Sequence, residues 1–370
     1  MNALETVPAM RALTWLFQVM PLFFIVGGMA NAMSWRSART RGEGYATWLR
    51  TRLWRLAVPS LWFVGVWTAG GLVLRSAGLP VDQVEMITWV VVVPVWFLAV
   101  YALVTMAAPL LLRIQVRCGP RATLAGLGLA VVAVDTMRFR SGVSLLTHTN
   151  FLWVFLLAQQ LGVWWLDDRR LEDGAQRRGI ATAGISAFAV MVGLVWIGWY
   201  PLSLVGVPGE SVQNNAPPTV MLALAGVVQV SAARLARPLV TRWLNRPRAW
   251  SAVIAVNAHA MTILLWHFTA IVIGAVVVLP IGLVPVFQEG SLAWWVVRGM
   301  WLPVLALPLS GLLWVFGRIE RRPLDRAIAG RARAAQGAAS PIIDRSESGV
   351  RGVVAVVAAG LALAAGFANV

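Results

Sequence analysis

Lysine is absent from this chain, cysteine occurs once, histidine three times, and acidic residues number only 15 among 370. Each scarcity excludes something. A single cysteine, Cys118, rules out an intramolecular disulfide framework and any multi-cysteine metal site within one chain, and argues against redox chemistry. Charged residues make up only 12% of the total, too few to clothe a water-soluble domain of this length. Few acidic residues fall inside apolar runs, which weakens a proton-coupled transporter. The sequence also lacks a GxxxxGK phosphate loop, an HExxH helix, a GxSxG elbow and any spaced Asp/Glu/His set, so an ATP-driven pump or a metalloenzyme is not indicated and no metal is expected.

What the chain does have is apolar length. Hydrophobic residues reach 59% and the mean hydropathy is +0.74, values of an integral membrane protein. Apolar runs of about 20 residues, the length of a helical crossing, recur throughout, and the short alternating segments of a membrane barrel do not occur. Breaks at Pro, Gly and charge predict spans over 9–33, 55–76, 86–112, 122–137, 143–166, 180–200, 217–233, 250–279 and 292–317, with a tenth possible over 352–370. The fold class is therefore all-α, a polytopic transmembrane bundle of about 9–10 spans. Three segments follow: a membrane domain over 1–317, a basic linker over 318–350 that lies near anionic headgroups, and the terminal run 351–370.

The 31 basic residues, all arginine, give a formal charge of +16. They are scattered between apolar runs and do not gather on one hydrophilic module, so no nucleic-acid partner is expected. Sorted by loop, 26 of the 31 fall on one side of the predicted spans, and only Arg11, Arg75, Arg138, Arg140 and Arg298 fall on the other. The arginine-rich side is cytoplasmic. Met1 then starts on the outer side, with no signal peptide or earlier helix in this sequence to carry it across.

Several motifs invite a functional reading beside a structural one. In RTRLWRLAVPSLWF, Arg52 and Arg55 lie three apart on one face of a helix entering from the cytoplasm. Two guanidiniums so placed suit a phosphate or pyrophosphate, yet arginines at a span's edge also serve as headgroup anchors. The run MPLFFIVGGMANAMSW offers Gly28 and Ala32 for close packing, a kink at Pro21 and a polar Asn31 within the span. Trp96, Phe97 and Tyr101 mark the middle of the third span and read either as cavity walls or as core. His259 and His267 both fall inside the eighth span, His259 about 13 Å from its cytoplasmic end and His267 about 12 Å further at 1.5 Å per residue. Each is a candidate general base or a neutral histidine bonded to another helix. His148 lies near Asp135, Arg138 and Arg140 in sequence, the minimum for a base with a carboxylate orienter, or simply an outer loop.

Taken together, MPLFFIVGGMANA, RTRLWRLAVP, PVWFLAVYALVTMAAPLLL and NAHAMTILLWHFTAI resemble, in order and spacing, the acyltransferase 3 family of integral membrane acyltransferases. The resemblance implies transfer of an acyl group, acetyl above all, from cytoplasmic acyl-CoA as co-substrate to a hydroxyl of a cell-surface carbohydrate, glycolipid or secreted small molecule. It implies a multi-pass protein of the cell membrane with membrane lipids as neighbours and no bound cofactor. Arg52 and Arg55 would match the family's Arg-x-x-Arg segment, which holds the donor's phosphates. The family's first helix, with an Arg followed about eleven residues later by a catalytic His, has no counterpart here. Arg11 is followed at that spacing by Leu22, and no histidine precedes His148. The catalytic residue is thus unassigned, with His259, His267 and His148 as candidates, and a catalytically inactive scaffold or carrier stands as the alternative. The family's serine in the small-residue pair is Gly27 here.

Overall fold

A computed structural model describes residues 3–141, 144–168, 174–210, 212–278, 287–288 and 291–336, with side chains described as far as residue 317. Among the described residues every regular element is a helix: α1 (Ala3–Thr6), α2 (Ala9–Phe17), α3 (Met20–Thr40), α4 (Tyr45–Ser76), α5 (Val81–Cys118), α6 (Pro120–Ser141), α7 (Ser144–His148), α8 (Asn150–Asp167), α9 (Gly174–Trp196), α10 (Val220–Leu244), α11 (Pro247–Ala258), α12 (Ala260–Val278) and α13 (Leu292–Gln336). In hydrocarbon the backbone has no water to bond, so each crossing closes its own hydrogen bonds as a helix.

Eight segments are long and apolar enough to cross a bilayer on length and composition: Ala9–Thr40, α4, α5, Pro120–Arg140, α9, α10, α12 and Leu292–Gly317. The predicted span 143–166 fails that test because its helix, α8, carries Asn150, Gln159, Gln160 and Asp167 in 18 residues. Its two ends nonetheless sit at opposite faces. Asn150 bonds Asp135 near the outer end of α6, and Asp167 bonds Arg36 at the inner end of α3. At 1.5 Å per residue α8 is about 27 Å long, close to the hydrocarbon thickness, so it is the ninth crossing. The candidate span 352–370 lies outside the described residues.

α8 is the centre. Gly28 of α3 rests on the backbone of Gln159, and Gly162 of α8 rests on the backbone of Ile25, so that a Cβ at either position would fall inside the facing carbonyl. Small residues bring two helix backbones together where the hydrophobic effect supplies no force between them. Phe24 and Phe155 stack at 4.1 Å beside this contact. α5, α6 and α10 complete the ring around α8. At its inner end Asp168 accepts from Arg234 of α10 at 2.7 Å, and the buried guanidinium lies 4.5 Å from the Trp164 ring centroid.

Two predicted spans are broken. The first stops at Phe17, passes through extended Gln18 and restarts at Met20, so Pro21 occupies the first turn of α3 and does not kink a continuous helix. The break is bonded to its surroundings: Gln229 donates to the Gln18 backbone carbonyl at 2.5 Å, and the Gln18 side chain donates from Nε2 to the Leu204 carbonyl at 3.2 Å. The eighth breaks at His259, between α11 and α12. α13 runs unbroken past the apolar region to Gln336, carrying helix into the basic segment.

Candidate active site

The inner end of α4 begins after Gly44, whose extended backbone admits the chain to the helix, and turns Arg52 inward. Its Nη2 donates to Asn31 Oδ1 at 2.8 Å. Asn31, only 1% exposed, donates in turn from Nδ2 to Gln159 Oε1 at 3.0 Å and to Thr105 Oγ1 at 3.2 Å. One amide thereby joins α3, α4, α5 and α8. Tyr101, one turn before Thr105, is close enough to Arg52 for the two to interact electrostatically. The ring of Tyr101 also explains Gly27: a Cβ there would lie 2.7 Å from Tyr101 Cε2, so a serine would not fit without moving the tyrosine.

A guanidinium spent only on a neutral amide keeps its full charge for a ligand. Arg55, one turn further along, is exposed, while Arg52 is half-buried. Gln159 Nε2 is buried with no partner, a donor left over in the same network. A second polar string runs alongside toward the arginine-rich face: Gln160 donates to Gln115, Gln115 to Asp167 at 3.0 Å, and Asp167 accepts both Nη atoms of Arg36 at 2.6 and 2.8 Å. The arrangement offers fixed positive charge and amide donors at that end, the equipment for an anionic ligand.

The histidines lie elsewhere. Trp266 packs edge-on against Phe63, and Trp67 donates from Nε1 to Thr269 Oγ1 at 3.1 Å, which sets α12 beside the middle of α4. His267, between those anchors, is therefore roughly 16–22 Å beyond Arg52 along α4. Its Nδ1 bonds the carbonyls of Leu264 at 2.8 Å and Ile263 at 3.1 Å. Carbonyls only accept, so Nδ1 carries a proton, and in the neutral imidazole Nε2 keeps its lone pair. His259 is half-buried at the α11–α12 break, its Nδ1 tied to the Ala255 carbonyl at 2.7 Å and its ring against Gly317. His148 ends α7 and stacks on Phe151 with ring centroids 6.3 Å apart.

The expected partner of His148 is committed to other donors. Asp135 accepts from Asn150 and Tyr200, both at 2.9 Å, and from the backbone N–H of Val220 at 2.7 Å. Burial first, then the nearby carboxylate, pushes the Tyr200 phenol well above its ordinary range, so it remains a donor. This outer node fastens the loop over 197–219 to α6, α8 and α10; Thr14, Trp15 and Arg11 of α2 hold the same loop through Leu204, Leu202 and Glu210. Sequence reasoning left out Gln159, Thr105 and this node. The signal available for the first was the Gln-Gln pair in LLAQQLGVWW, a costly insertion in an otherwise apolar helix.

Among the described residues, a bundle of eight apolar crossings around the polar helix α8, with a half-buried guanidinium on an amide network at its arginine-rich face, defines a polytopic membrane protein with an anion-competent site at that face. The chain belongs to the acyltransferase family whose model, described as an acyltransferase domain, matches residues 2–317. It is thus a multi-pass membrane acyltransferase. No curated protein and no solved structure shows significant similarity to it.

Proposed function

We propose that the chain transfers an acyl group, most simply acetyl, from cytoplasmic acyl-CoA to a hydroxyl of a carbohydrate, glycolipid or secreted small molecule at the outer face of the cell membrane. The observation that carries this reading is Arg52, half-buried at the cytoplasmic end on a neutral amide, with the exposed Arg55 one turn away. Their planar donors suit the donor's phosphates. An acyl-CoA carries its thioester at the end of a pantetheine arm, so phosphates held at the inner end of α4 leave the reacting carbonyl deeper, toward the level of His267. There Nε2 of His267 takes the proton of the acceptor hydroxyl as its oxygen attacks the thioester carbon. The C–S bond then breaks and the proton passes to the departing thiolate, giving an ester and free CoA. His259 at the helix break is the second candidate for the base.

The test is acetyl-CoA binding by calorimetry to detergent-purified protein. Replacing Arg52 and Arg55 together by Ala is expected to weaken binding about 100-fold or more, from the loss of two charge-assisted contacts, with an unchanged elution profile. Binding equal to wild type removes the donor site from this position. Wild-type protein that binds labelled acetyl-CoA but never releases or transfers its acetyl group supports the inactive scaffold.

A further inference from the structure

A groove of about 800 Å³ lies along the outer halves of α4 and α5. Both halves belong to the arginine-poor side, since α4 ends at Ser76 and α5 begins at Val81. The walls are hydrocarbon and indole, with Trp67, Trp89 and Trp96 among them. From Val81 to Trp96 the groove follows α5 for fifteen residues, about 22 Å at 1.5 Å per residue, enough to run from the headgroup level through the hydrocarbon of one leaflet. An apolar groove open at that depth takes a hydrocarbon chain, because water finds no partners there.

The rim decides which lipid. Arg75 and Glu85 both line the groove at its outer end, both are exposed, and neither is ion-paired among the described residues. A phosphate suits Arg75 and repels Glu85. A headgroup with both a phosphate and hydrogen-donating hydroxyls satisfies the two together. At the deep end, Trp67 donates to Thr269, two residues from His267, so the groove runs from the outer headgroup level down to the depth of the candidate base.

We propose that this groove seats the hydrocarbon chain of a phosphate-linked glycolipid, with Arg75 on its phosphate and Glu85 on its sugar hydroxyls, and that this lipid is the acyl acceptor. The proposal rests on the acyltransferase reading above and names the acceptor for it. Arg52 and Arg75 are 23 residues apart, about 34 Å of helix, so α4 alone would hold the phosphates of the donor at one face and that of the acceptor at the other.

Lipid binding is read without any transfer, by native mass spectrometry of the protein in nanodiscs, using polyprenyl phosphate, the same lipid bearing a phosphate-linked glucose, polyprenol and phosphatidylethanolamine as probes. Gly71 lines the groove, and a Cβ there meets only Val84 and Thr88, at 3.8 and 3.9 Å, so Gly71→Leu fills the groove without a backbone clash. Gly71→Leu and Arg75→Ala are each expected to weaken retention of polyprenyl phosphate about tenfold. Polyprenol should be insensitive to Arg75→Ala, and the glucose-bearing lipid should lose its advantage over polyprenyl phosphate in Glu85→Ala. Acetyl-CoA binding should be unchanged in all three variants, and its failure in wild type would count against the donor site alone. Equal retention of polyprenyl phosphate by wild type and Gly71→Leu overturns the proposal. So does phosphatidylethanolamine bound as tightly as the glycolipid and released by Arg75→Ala.

Discussion

α8 and α4 cross the same bilayer by opposite means. α8 has 12 of its 18 residues buried, polar side chains among them, and meets α3 backbone to backbone. α4 is 32 residues long and buries only Trp48 and Phe63. The first holds the bundle together and keeps most of its surface for that. The second is apolar enough to stand in lipid with few neighbours, and for that reason can present Arg52 and Arg55 at one end and an open groove at the other. Architecture and ligand handling are thus divided between helices, and regions with few buried contacts are where binding and motion concentrate.

The sharpest way to break this contrast is at the glycine contact. Gly162→Val drives a side chain into the Ile25 carbonyl and is expected to cost about 3 kcal/mol or more, seen as loss of the monodisperse peak of a fluorescent fusion on size exclusion. Asn31→Leu comes next. It strands Arg52, Thr105 and Gln159 together, and a drop in stability of about 2 kcal/mol is expected from the unpaired groups, with weaker acetyl-CoA binding measured on the same sample. A variant that keeps both properties would detach Arg52 from the network described here. Tyr200→Phe removes one of three donors to Asp135, costs about 1 kcal/mol by thermal unfolding, and leaves donor binding unchanged because the node is at the far face. The smallest effect belongs to α4: Leu61→Ala and Trp62→Ala, 66% and 56% exposed, should each stay within about 0.5 kcal/mol. A large loss at either would show α4 to be packed against something.

Much of this was legible from composition and order. Apolar length identifies the helical bundle, because it follows from transfer energies that act residue by residue. Gly28 and Ala32 were readable as a packing surface for the same reason. The breaks at Gln18 and His259 were not, since what permits them is distant: Gln229 and Leu204 bond the first, and Gly317 makes room for the second. Asn31 is visible in the sequence as a polar residue within a span; its three partners come from three other helices, which no local pattern reports. Asp135 is legible beside His148 from closeness in sequence, but its bond to Tyr200, 65 residues away, is not.

The interlock of Gly28 with Gly162 also constrains biosynthesis. α3 is made well before α8: Asn31 and its partner Gln159 are 128 residues apart, roughly ten seconds of synthesis. During that interval Asn31 faces lipid or a helper protein. α8, too polar to partition alone, can settle only where α3 and α5 already offer hydrogen bonds. The helix least able to enter the membrane by itself is the one around which the rest close.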